Sequence, residues 1–254
     1  MIEMSYILHS EDDQKWCKAN NIHITYPGQS DYPEALLELN LRPGVLFYIG
    51  QPIWLNYNLI SVVGSRVPQN QSLVWLDEQL GEVLKNNKYG VVSGGARGVD
   101  QKAHQIALRT ESPTMIVLPS GLRNVYPDNI QEYFEPVIKG GGCVLSQFLP
   151  SQPMKKYFFR ERNRIIAAIS PVTLVVECKR RSGTLLTANF VLDFEKKLAV
   201  MPTFPGQAGM GGLDLICDKQ ASPIRDHYDL QMLLNRSAKV IHAKNQENHI
   251  GNNG

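Results

Sequence analysis

Six short apolar runs, most of them closing on glycine, serine or proline, constrain this chain more than any other feature. They are Leu59 to Val63, Gly90 to Ser93, Met115 to Leu118, Cys143 to Ser146, Val172 to Val176 and Leu198 to Met201. Each is too short for a helix and rich in β-branched residues, as strands buried on both faces are. Helical patterns lie between several of them. Leu73, Leu76, Leu80, Val83 and Leu84 fall on one side of a helix, and Val99 to Leu108, Asn163 to Ile169 and Leu185 to Phe194 read similarly. Strands alternating with helices in this way form βαβ units, so the fold class is α/β with a mostly parallel sheet.

The main domain spans 58–225. Residues 1–57 form a partly helical N-terminal extension, with a Tyr32-Pro33 breaker, a short helix at Leu36 to Leu41 and a strand at Val45 to Ile49. The C-terminal tail, 226–254, ends in the polar run NQENHIGNNG and reads as frayed. At 254 residues the chain has room for one large α/β domain with a small extension. No apolar stretch approaches the roughly 18 residues that cross a membrane, and MIEMSYILHSEDDQ does not read as a secretion signal. Cys17, Cys143, Cys178 and Cys217 are scattered without a CxxC pair, which points to free thiols in a reducing cytoplasm and to no metal site.

In open α/β sheets, ligands bind at the carboxyl ends of the strands near a switch in strand order. Four strand ends here carry loops suited to anions: Gly64-Ser65-Arg66, Ser93-Gly94-Gly95, Pro119-Ser120-Gly121 and Arg181-Ser182-Gly183-Thr184. Glycine admits close backbone approach, a helix N-terminus offers free N–H groups, and Arg66 can grip a phosphate with two prongs. Ser65, Ser93, Ser182 and Thr184 add hydroxyl donors. Tight strand-to-helix turns also need glycine for structural reasons, so the case rests on several such loops sharing one sheet edge.

Charge is concentrated too. The window 155–181 holds Lys155, Lys156, Arg160, Arg162, Arg164, Lys179, Arg180 and Arg181 against Glu161 and Glu177, a net +6 that leaves −4 for the rest of a chain totalling +2. Aromatic residues interleave with it at Tyr157, Phe158 and Phe159, the pattern that single-stranded nucleic acid needs for phosphate attraction and base stacking. Core packing competes for at least one of the three rings. The sequence lacks GxxxxGK[ST], a GxGxxG after the first strand, GxSxG and HExxH, which removes the common nucleotide-triphosphatase, dehydrogenase, hydrolase and zinc-protease readings. No cofactor is implied. Asp100 and His104, four apart on one helix face, read as a structural pair rather than an acid/base couple.

SVVGSR (61–66), SGGARGVDQKAH (93–104), VLPSGLRNVYPDN (117–129), RNRIIAAIS (162–170) and RSGTLLTANF (181–190) resemble, in order and spacing, the signature blocks of the DprA/Smf family of DNA-processing proteins. The likeness extends from about residue 31 to residue 224. It implies an extended Rossmann-like three-layer fold, a homodimer, single-stranded DNA binding, delivery of that DNA to the RecA recombinase as in natural transformation, and no catalysis. The implied DNA pocket takes in Gly64, Ser65 and Arg66, with Ser93 and Gly94 from the second loop. It also takes in the loop Phe159, Arg160, Arg162, Asn163 and Arg164, with Lys155 and Lys156 upstream. Phe159 is the leading base-stacking candidate and Phe158 the second. Lys179, Arg181, Ser182, Gly183 and Thr184 complete the phosphate side. Arg160 replaces a usual proline, which implies a looser and more basic loop, and Gln147 replaces a usual glutamate. The chain lacks room for the accessory domains that many members carry.

Two other readings use the same cradle. A phosphoribohydrolase of related fold would need a glutamate where Thr187 stands. A small-nucleotide sensor would bind mononucleotides without catalysis.

Overall fold

The computed structural model describes residues 11–237 except 86, 87 and 207. The terminal run NQENHIGNNG lies outside them. A nine-stranded sheet runs through the molecule in the order β1-β2-β6-β5-β4-β3-β7-β8-β9. Its strands are β1 (His23–Thr25), β2 (Leu46–Gly50), β3 (Asn58–Gly64), β4 (Tyr89–Ser93), β5 (Thr114–Val117), β6 (Cys143–Ser146), β7 (Val172–Val176), β8 (Lys197–Val200) and β9 (Ser222–Pro223). The seven from β6 to β9 pair in parallel, while β1 and β2 extend one edge antiparallel. The six apolar runs of the sequence are the six central strands, each placed within a residue of its expected bounds. Residues 23–25 and 46–50, read as part of an N-terminal extension, complete this same sheet.

The helices are α1 (Glu11–Ala19), α2 (Asn70–Leu84), α3 (Val99–Arg109), α4 (Phe134–Lys139), α5 (Phe158–Ile169), α6 (Gly183–Asp193) and α7 (Met210–Cys217). A further helix covers 227–237. The pleat sorts them into two outer layers. Leu59, Val63, Val92 and Val175 face α5 and α6, whereas Ile60, Val62, Val91 and Val176 face α2, α3 and the last helix. Both faces of the central strands are therefore covered, which is why their sequences show no polar alternation. Leu230 and Leu234 seal the second layer, so the segment from 227 to 237 belongs to the core.

Helix α5 begins earlier than the sequence suggests. The stretch Phe158 to Arg162, ahead of the helix expected from Asn163 and read above as part of a loop, forms its first turns. Phe158 is the anchor: it is buried and stacks on Phe148 with ring centroids 3.8 Å apart, while Tyr157 meets it edge-on. Burying a ring of this size stabilises by about 1.5–3 kcal/mol, enough to fix the helix start against the charges that follow. Farther along, Ile165, Ile166 and Ile169 pack on the sheet, and Ser61 of β3 donates a hydrogen bond to the Ile166 carbonyl at 2.6 Å.

Candidate functional site

Strand order reverses direction at β3, which has β4 on one side and β7 on the other. The crevice expected at such a switch opens between the loops after β3 and β7, as a cavity of about 440 Å³. Its floor depends on Gly64. A Cβ there would lie 2.1 Å from the Val176 carbonyl oxygen and 2.6 Å from Val99 Cγ2, so no other residue lets β3, β7 and α3 converge. The backbone continues the junction: Ser65 N–H donates to Val176, and Val99 N–H donates to the Ser65 carbonyl.

One wall is the N-terminus of α6. Ser182 caps it, accepting from Leu185 N–H at 3.1 Å while donating to the Lys179 carbonyl. Thr184 donates to the Gly64 carbonyl at 2.8 Å and so locks the helix end to the end of β3. Both hydroxyls are thereby committed to the frame. The N–H groups of Gly183 and Thr184 have no acceptor among the described residues, and with the helix dipole they are what remains for an anion. Lys179 stands exposed at the rim.

The opposite wall is α5, and its helical period separates the candidate residues. Phe159, Arg162, Asn163 and Ile166, at i, i+3, i+4 and i+7, face the cavity. Arg160 and Arg164 turn the other way, their guanidiniums 5.7 and 5.8 Å from the centroid of the Phe190 ring, and Arg164 also lies over Phe194. Lys155 and Lys156 are exposed just ahead of the helix, and Lys155 lies over the Phe158 ring. Arg181 is exposed and does not line the cavity. Arg180 is held by Asp214.

Phe159 is half-buried, with two guanidiniums near its ring. Arg66 lies 5.5 Å from its ring centroid and Arg162 5.9 Å. The two differ in kind. Arg66 is exposed and forms no ion pair among the described residues, whereas Arg162 is buried, donating to the Val117 carbonyl at 3.2 Å with its Nε left without a partner. Burial draws Arg162 down to about 10; Asp100 holds it up and Arg66 pushes it lower. Burial likewise raises the Asp100 carboxyl above the ordinary range, with Arg162 and the amides of the 94–96 loop pulling the other way.

Ser93 is fully buried and donates to the Val62 carbonyl at 2.7 Å, so its hydroxyl ties β4 to β3 and faces neither cavity wall. Asp100 and His104 do not bond each other. Asp100 accepts from Ala96 N–H at the start of α3. His104 meets Thr114 at 2.7 Å, and because the Thr114 hydroxyl donates to the Val91 carbonyl, the imidazole carries its proton on Nδ1. Burial first, and Arg162 second, depress His104 to about 3. His104 is held in the core away from the cavity, whereas Asp100 also lines the cavity.

Glu177 was missed as a site residue. It follows β7 directly, at a left-handed φ of 53°, and lines the cavity. One carboxylate oxygen accepts from Gln69 N–H and Ser72 Oγ, capping α2 from a distance, and the other is buried without a partner. Its position after a strand at the switch point was the available signal. Thr187 lines the cavity as well, with its hydroxyl donating to the Gly183 carbonyl. Among the described residues no cluster of three metal-ligating side chains exists, no helix is long and apolar enough to cross a membrane, and the four cysteines are free.

A three-layer α/β sheet with amides, a capped helix end and guanidiniums around its switch-point crevice is a Rossmann-like fold. The sequence family of DNA recombination-mediator protein A matches residues 23–235. Protein Smf of Synechocystis is 33% identical over 204 residues, which cover 77% of this chain and 50% of the relative. The X-ray structure of DNA processing protein A from Streptococcus pneumoniae superposes with a TM-score of 0.76 at 27% identity, covering 89% of this chain and 79% of that one. DNA processing protein A from Helicobacter pylori, whose structure is described as showing a single-stranded DNA binding mode, gives 0.73 at 25% identity, over 87% and 96%. The chain belongs to the DprA/Smf family. It spans about half the length of the Smf relatives it matches in Synechocystis and Escherichia coli.

Proposed function

We propose that this protein binds single-stranded DNA in the switch-point cavity and acts as a non-catalytic recombination mediator in the cytoplasm, as a homodimer that hands DNA to RecA. The observation that carries the DNA-binding reading is Phe159, a half-exposed ring with Arg66 and Arg162 close by, in the same cavity as the free N–H groups of α6. That arrangement pairs a stacking surface with cationic and dipolar anion contacts, and it asks for a base beside its own phosphate. Duplex DNA hides its base faces; a single strand offers them. The related protein from Helicobacter pylori supports the same ligand class.

The deciding measurement is fluorescence anisotropy of oligo-dT against matched duplex across a salt series. Preferential, salt-sensitive binding of the single strand is the expected outcome, and equal affinity for duplex refutes the stacking role. Mononucleotide competing as strongly as oligonucleotide marks a small-nucleotide sensor instead, and release of free base from a nucleoside monophosphate marks an enzyme. RecA delivery is tested separately, by strand exchange on DNA coated with single-strand-binding protein.

A further inference from the structure

A second cavity, of about 500 Å³, lies on the other side of Arg66, Phe159 and Arg162, all three of which line both spaces. Another part of its lining is the turn into the short 3-10 helix Asp128–Tyr133, which carries Tyr126, Asp128 and Asn129, and the exposed Arg97 lines it too. None of these four residues belongs to the cradle described above. Resting on the single-strand reading, we propose that this cavity is a second nucleotide subsite, so that one strand passes from the α6 cradle across Arg66 and places its neighbouring nucleotide against Tyr126.

The chemistry of the lining supports a nucleotide over a smaller anion. Tyr126 is 37% exposed at the cavity, and its ring meets Phe159 edge-on, with centroids 5.8 Å apart and planes at 85°. Two rings in that arrangement present faces in different directions, which suits successive bases splayed about a shared phosphate rather than a continuous stack. Arg97 is exposed and enters no ion pair among the described residues. Together with Arg66 it gives this cavity two free cations. Asn129 offers both a donor and an acceptor to a base edge. Asp128 accepts only, so it repels phosphate from the loop wall and leaves Arg97 and Arg66 as the phosphate side. A cavity of this size matches the range of small-molecule sites, whereas a lone phosphate needs far less.

The test is anisotropy with a ladder of oligo-dT lengths on the full chain, comparing wild type with Tyr126→Ala, Tyr126→Phe and Arg97→Ala. Tyr126→Ala is expected to weaken the longer oligonucleotides about 5- to 150-fold, the range for losing one base stack, while the shortest that bind change little. Tyr126→Phe keeps wild-type affinity. Arg97→Ala, at an exposed residue whose loss does not threaten the fold, lowers the salt slope by about 0.7. Wild-type length dependence in Tyr126→Ala together with a wild-type salt slope in Arg97→Ala overturns the second subsite while leaving the first cradle standing. Failure of the wild type to bind any oligonucleotide overturns the single-strand reading itself, and this proposal with it.

Discussion

The guanidinium of Arg162 occupies the space that a side chain at Gly94 would fill: a Cβ on Gly94 would lie 1.3 Å from Arg162 Nη1 and 2.3 Å from Cζ. Glycine in this loop therefore serves a buried cation directly. The same guanidinium donates to Val117, neighbours Asp100 electrostatically and supports one side of Phe159.

Gly94→Ala is expected to displace Arg162 and cost about 1–3 kcal/mol, the usual penalty for overpacking a filled interior. Urea denaturation measures it. Unchanged stability together with unchanged oligo-dT affinity would show that Arg162 can retreat without consequence.

Removing Arg162 leaves the Asp100 carboxyl, which burial already disfavours in its charged form, to the 94–96 amides and Arg66 alone. Arg162→Met should destabilise by about 1–3 kcal/mol, as for a buried acceptor such as the Val117 carbonyl left without its donor. Adding Asp100→Asn should recover part of that loss. A double-mutant cycle with no coupling would deny that the two residues compensate each other.

Phe159 and Phe158 are adjacent yet predict opposite phenotypes. Phe159→Ala should weaken oligo-dT binding by about 1–3 kcal/mol with little effect on unfolding. Phe158→Ala removes a buried ring stacked on Phe148 and should cost about 3–5 kcal/mol of stability. Paired anisotropy and denaturation curves separate them; a well-folded Phe159→Ala protein with normal binding eliminates the stacking role.

Arg66 and Arg164 make a second contrasting pair. Arg66→Ala should reduce the salt slope by about 0.7, one phosphate contact to a single strand. Arg164→Ala should leave the slope unchanged, since its guanidinium lies over Phe190 and Phe194. Equal slopes for wild type and Arg66→Ala would place the phosphate elsewhere.

His104 predicts a pH dependence of stability. Folded, it titrates at about 3; unfolded, at roughly 6.5. The unfolded chain therefore binds the extra proton between those values, and stability falls as pH drops through that window by up to about 1.4 kcal/mol per unit. Above about pH 6.5 both states are neutral and His104 contributes no pH dependence. The stability gap between wild type and His104→Asn should narrow by about 2 kcal/mol from pH 7 to about pH 5. A gap independent of pH would contradict the buried neutral imidazole.

The central sheet was legible in the sequence because its strands are buried on both faces. Unbroken β-branched runs such as Val172 to Val176 admit little else. The glycine loops were legible as well, since Gly64 stands where three elements meet. The start of α5 was not, because Lys155 to Arg164 mixes aromatic and basic residues too densely to show a period. What settles it is Phe148, ten residues ahead of Phe158 and in ring contact with it only in the folded chain. Glu177 was hidden for a related reason: counted as one acid among basic residues, it acquires its role only when Gln69 and Ser72 arrive from α2.

By itself, then, the sequence determined the α/β class, the run of strands and the places where backbone could approach an anion, because burial and backbone sterics act locally and leave local patterns. Tertiary structure decided which cations face the cavity. Along the chain Arg160, Arg162 and Arg164 look alike. Once α5 forms and docks, its turn of about 100° per residue sends Arg162 to the Phe159 wall and the other two to Phe190.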